Sequence, residues 1–354
     1  MLSYPVLSVS NTVGFALEGA ALAQALRASD DAALRRAAVR WLAVRADRRS
    51  RLSNEALEYE DGIEFTEGLA KYTEYRLFQV LEGRRPGPAM AWAQGFAGYA
   101  GLARRREALV DQMLLHMSGE ARVNNDPYGT APLRMRLYYS GMAAGVLLDR
   151  LAPGWKGAIA APDASLTSLV RGALDPSPAE LAEALGQAKS EAVYAALVEK
   201  KTALAREGKA RAEAMLKEIE SGPGIALVVD YSALDKPKPA MAFTPFGIVA
   251  VDAQRTIFTQ VPVAVSFGEE GQVAQTMPAP LLRDTGRGIV RFRLPAGTTR
   301  VEVEKALGST PMSGDTTAAL ELTLPGATVK AARAQVRWSG DDLLVILKKG
   351  MAGK

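Results

Sequence analysis

The pattern of this chain changes once, at Ser221-Gly222-Pro223-Gly224. Upstream, apolar residues recur at three- and four-residue spacing, the repeat of helices with one buried side. Downstream, ALVVDY, GIVAVD, TIFTQV, VAVSF, GIVRFRL, TRVEVE, LELTL, AQVRW and LLVIL are short β-branched runs, several of them alternating, set between Gly, Pro, Asp and Thr. The two periods call for an α+β multidomain protein. An all-α helical domain is expected over 1–220 and an all-β sandwich over 225–354, of which the immunoglobulin arrangement is one form. A chain of 354 residues, 48% hydrophobic, can bury a core in each.

The residue inventory removes several chemistries. Cys is 0, which excludes disulfides and thiolate metal sites. His is 1, so this chain supplies one imidazole, His116, to any site. A lone histidine between Leu115 and Met117 is read as packed or exposed rather than as a ligand. Walker and dinucleotide glycine fingerprints are absent, as are a Gly-x-Ser-x-Gly elbow and a Glu-x-x-His pair. A formal net charge of +4 is too small at this length to imply nucleic acid. The helix carrying Arg35, Arg36, Arg40, Arg45, Arg48 and Arg49 is expected to be solvated or ion-paired. The N-terminal stretch lacks a basic region and carries Glu18 in its apolar part, so it is a poor signal peptide. No run approaches the roughly 20 apolar residues of a membrane span.

Within the helical part, a first helix is expected over 12–28 and a second from Ser29-Asp30-Asp31 to about Arg49. Residues 88–118 are apolar but loosened by Gly95, Gly98 and Gly101. NNDPYG, 124–129, is dense turn chemistry. The helix LRMRLYYSGMAAGVLLDRLAPGWK stops at Pro153-Gly154. Asp163 is the expected cap of one short helix, and Ser177-Pro178-Glu180 make a capping box for the next. A long charged helix then covers 190–220.

YEDGIEFTEGLAKYTEYR, 59–76, reads as helix after Gly62. Glu60, Glu64, Glu67 and Glu74 form one carboxylate line along it, with Lys71 placed to pair with Glu67 at i,i+4. A solvated acidic face is the plain expectation. The alternative is that one carboxylate points into a cleft. Paired carboxylates for glycoside hydrolysis are disfavoured by an aromatic content of 6%.

FTEGLAKYTEY, 65–75, resembles the N-E-G-(F/L)-A-x-Y helix of the gluzincin metallopeptidases, the aminopeptidase N and glycyl aminopeptidase group. YYSGMAAGVLLDRLAPGWK, 138–156, resembles the Y-x-x-G-x-x-x-L-x-x-L helix of the same group. The resemblance covers about a third of the chain, with the motifs in family order. It implies a zinc site in which Glu67 is the third metal ligand and Tyr138 polarises the scissile carbonyl of a peptide or protein substrate. Glu18, in the weaker copy Glu18-Gly19-Ala20, is the alternative ligand. Such a zinc keeps one position for water, and a phenol opposite stabilises the oxyanion.

The departure from the family is the absence of H-E-x-x-H. Where shorter-spaced members place it, this chain has Val44, Arg45, Ala46, Asp47 and Arg48. The implied protein is therefore a metallopeptidase-like one, inactive or incomplete as written, with zinc expected in a complete form and not in this chain alone. If a histidine-bearing N-terminus with a signal peptide is missing, the protein is periplasmic or secreted. The alternative function is a non-catalytic binding or scaffolding protein that docks a protein partner through its β-sandwich.

Overall fold

The computed structural model describes residues 4–349, apart from 93, 95, 97, 122–129, 162, 236, 238, 243–246, 261, 311 and 313–315. The chain packs as two compact units, one running through Arg206 and the other beginning at Glu207. The first is helical and the second is built on a curled mixed sheet, the expected α+β order.

The helical unit opens with α1 (Val9–Arg27) and α2 (Asp31–Arg49), capped by Ser8 and Asp30. A continuous run follows: α3 (Asn54–Ile63), a π-helical turn (Glu64–Gly68) and α4 (Leu69–Leu81). Helix therefore begins well before Gly62, after which the sequence first shows helical spacing. Ser53 sets this earlier start by accepting from the Ala56 amide.

Helix α5 (Leu102–Ser118) lies between Gly101 and Gly119, both at positive φ, where a side chain would be strained. The long α6 (Thr130–Leu151) follows, and the turn NNDPYG before it lies outside the described residues. After a single turn, α7 (Trp155–Ala158), come α8 (Leu166–Leu174) and α9 (Pro178–Ser190). Ser165, rather than Asp163, caps α8, in a box with Ser168. The Ser177–Glu180 box of α9 is as expected.

Helix α6 is the hub of this unit. It packs on α1, α3, the π turn, α4, α5 and α8. Phe15, Leu22, Trp41, Met113, Leu137 and Met142 fill the core between these helices.

The helix α10 (Ala192–Ser221) contains the boundary between the two units. Its C-terminal turns belong to the second unit, where Leu216 and Ile219 pack on Ile257 and Leu282 of the sheet. Arg291 caps this end, donating to the carbonyls of Ile219 and Glu220 while holding Asp342 with both Nη atoms.

The strands are β1 (Ala226–Asp230), β2 (Ala240–Ala242), β3 (Ile248–Ala250), β4 (Arg255–Phe258), β5 (Ala264–Ser266), β6 (Gly271–Gln275), β7 (Leu281–Asp284), β8 (Ile289–Arg293), β9 (Thr316–Leu324), β10 (Ala327–Ser339) and β11 (Asp342–Leu347). They hydrogen-bond as one sheet in the order β2-β5-β6-β10-β11-β1-β8-β7-β4-β3, with β9 also on β10. Only the β1–β11 pairing is parallel among those described. TRVEVE, expected as a strand, is instead the start of α11 (Arg300–Leu307), because Thr299 and Glu302 form a capping box that overrides the alternating valines.

Candidate functional site

The carboxylate line of 60–74 is divided by the π turn. Glu60 and Glu64 are 0% and 2% exposed, so they form no solvated face. Glu67 and Glu74 keep half-open side chains. Lys71 pairs with Glu74 at 2.7 Å rather than with Glu67, whose own partner comes from α6. A π turn widens the helix locally and shifts the register of everything after it, which sequence spacing alone does not reveal.

Two glycines bring this segment against α6. Gly68, from the first resembled motif, meets Gly141, from the second: a Cβ on Gly68 would lie 2.7 Å from the Gly141 Cα. One turn on, Gly145 accepts the ring of Tyr72 in the same manner. The backbones therefore touch, and side chains flanking the contact are forced together.

On the half-open flank, Arg134 Nη2 donates to Glu67 Oε1 at 3.0 Å and to Tyr138 Oη at 3.1 Å. Glu67 and Tyr138 thus share one face, bridged by a single guanidinium nitrogen. Arg134 precedes Tyr138 by four residues on α6, the spacing that stacks side chains on one helix face. Since Tyr138 accepts from Arg134, its own hydroxyl proton is free to be donated outward. Tyr59 adds a buried hydroxyl beside Arg134 that makes no well-formed hydrogen bond among the described residues, and burial raises its pKa.

On the inner flank lies a closed charge network. Arg45 donates through Nη1 to Glu18 (3.0 Å), through Nη2 to Glu64 (2.6 Å) and through Nε to Thr167 (2.8 Å). Arg48 donates to Glu18, to both oxygens of Glu60 and to Asn11, and lies 3.9 Å from the centre of the Phe15 ring. Tyr4 donates to Glu60 and Ser140 to Glu64. All five charged side chains are at most 3% exposed.

Burial of these groups is opposed by pairing to different extents. Burial alone would raise the Glu60 pKa, but the Arg48 guanidinium outweighs it and holds this carboxyl at about 2. At Glu64 burial prevails over Arg45 and Ser140, and the pKa is raised. Burial also works against the charge on Arg45, yet Glu64 and Glu18 push its pKa above the usual value. Arg45 and Arg48 occupy two of the five positions where the resemblance looks for H-E-x-x-H.

His116 is elsewhere, at the end of α5, stacked on Tyr139 with ring centres 5.0 Å apart. Its Nδ1 is enclosed without a partner. Burial, then the charges of Arg136 and Lys71, lower its pKa to about 4.

These residues do not fit a catalytic zinc. Both oxygens of Glu18 are taken by guanidinium groups, Glu67 answers to Arg134, and the imidazole sits among cations that repel a divalent ion. What the outer flank offers instead is one acceptor, Glu67, beside one outward donor, Tyr138. The resemblance points to both of these, and spacing to Glu67, but neither singles out Arg134, Tyr59 or the inner network. The i,i+4 relation of Arg134 to Tyr138 is the signal that could have found the bridge.

Comparison with protein-family models, with characterised proteins and with solved structures gave no match. No described helix is long and apolar enough to cross a membrane.

Proposed function

We propose that this chain is a metallopeptidase-like protein that, as it stands, engages peptides without hydrolysing them. The observation that carries this reading is the bridge from Arg134 to both Glu67 and Tyr138, which gathers the two residues of the resembled motifs on one half-open face. A peptide backbone presents N–H donors and C=O acceptors, and this face supplies a carboxylate for the first and a phenol for the second. Hydrolysis by the resembled mechanism needs a metal-activated water, for which the donors of this chain are already engaged by arginine.

The test is fluorescence anisotropy with a pool of labelled peptides, read alongside release of label on cleavage. Binding without cleavage is expected, weakened roughly tenfold by Tyr138→Phe or Glu67→Ala. Affinity unchanged in both variants, or no binding of any peptide, contradicts the proposal. A scaffold acting through the sheet would call for a contiguous apolar patch there. Among the described residues of that unit the exposed large apolar side chains are Met277 and Val301, which lend it no support.

A further inference from the structure

The second unit contains a pocket of about 280 Å³ that the helical chemistry does not touch. It lies beside the β7–β8 turn, with Tyr231, Ser232, Pro237, Pro239, Arg283 and Arg287 among its walls. Tyr231 is 4% exposed, and its hydroxyl, which lies beside Arg283, makes no well-formed hydrogen bond among the described residues. Nε of Arg283 is likewise buried and unpartnered. Two enclosed donors facing one cavity are unusual, since buried polar groups are nearly always satisfied.

Among the described residues, the other charges around the pocket are paired. Arg287 is held by Asp284 through Nε at 2.6 Å and by Glu220. Asp230 accepts from the Ser232 amide at 2.9 Å and from its hydroxyl at 2.6 Å. Arg283 makes no ion pair among the described residues, although it sits in the middle of β7, between β4 and β8. Strand alternation sends it to the face opposite Leu282, which packs under α10. Burial raises the Tyr231 pKa against the charge and the adjacent N–H of Arg283, so the phenol stays protonated and remains a donor.

We infer that this pocket binds a small oxyanion group, carboxylate or phosphate, with the Arg283 guanidinium as counter-charge and the Tyr231 hydroxyl as second donor. A guanidinium fork matches the paired oxygens of either group and forms its strongest hydrogen bonds with them. The volume suits the charged end of a molecule rather than a large ligand. Pro237 and Pro239 wall the pocket without adding an N–H.

Isothermal titration calorimetry of the full chain tests this with inorganic phosphate in one arm and acetate in the other. One-to-one saturable binding in at least one arm is expected, and the stronger arm identifies the anion. Arg283→Gln should weaken it roughly tenfold or more, and Tyr231→Phe severalfold. Arg337→Gln, which removes an exposed cation of β10, should leave it unchanged. Tyr231→Phe deletes an oxygen that makes no well-formed hydrogen bond among the described residues and is expected to fold, so it decides the matter even if Arg283→Gln does not. No saturable binding in either arm, or full affinity in Tyr231→Phe, overturns the inference.

Discussion

Gly68 and Gly141 meet backbone to backbone where the π turn crosses α6, and a Cβ on Gly141 would come within 2.7 Å of the Glu64 carbonyl oxygen. Each is the glycine of one resembled motif. Their contact sets Glu64 against Ser140 on the inside and Glu67 against Arg134 and Tyr138 on the outside.

Alanine at either position forces backbone apart rather than a flexible side chain. Gly68→Ala and Gly141→Ala should each cost about 1–3 kcal/mol. Gly62, earlier in the same continuous helix, has nothing within 4 Å of its would-be Cβ. Gly62→Ala should therefore stabilise by about 0.5–1 kcal/mol through helix propensity. Urea unfolding of the three variants checks the opposite signs.

The inner network makes a second contrast. Arg48→Met leaves buried Glu18 with Arg45 alone and buried Glu60 with Tyr4 and the more distant Arg49, and should cost about 3–5 kcal/mol. Glu67→Gln, on the half-open flank, should move stability by no more than about 0.5 kcal/mol. Equal destabilisation by the two, read by the same urea unfolding, would contradict the division of the carboxylates into an inner and an outer set.

The architecture was legible because helix and strand periods are local, as were the caps at Asp30 and Ser177. The fates of Glu60 and Glu64 were not. Their partners Arg45 and Arg48 arrive from α2, and no spacing within 59–76 encodes that approach. TRVEVE shows the converse case: two local signals competed, and the capping box won over alternation. Glu67 and Tyr138 could be named from the motifs, and Arg134 could be placed beside Tyr138 by its i,i+4 spacing, whereas its reach to Glu67 depends on α6 and the π turn being in contact.

Acid should act through two groups with different windows. The Glu60 carboxyl is held at about 2, below its unfolded value, so its contribution is complete above roughly pH 4.5 and is lost as pH falls toward 2. His116 is lowered to about 4, so the folded state resists a proton that the unfolded chain accepts near pH 6.5. Stability should thus begin to fall below about pH 6.5 and go on falling to about pH 4. His116→Phe should flatten that upper segment and leave the lower one, as read by thermal unfolding across pH.

In the helical unit guanidinium groups answer the carboxylates of Glu18, Glu60, Glu64 and Glu67. Zinc content tests it most directly: the purified chain is incubated with excess zinc, desalted and assayed by elemental analysis beside Glu67→Ala and Arg134→Ala. No stoichiometric zinc is expected in any of the three. One equivalent of zinc in the parent chain, lost in Glu67→Ala, would contradict it.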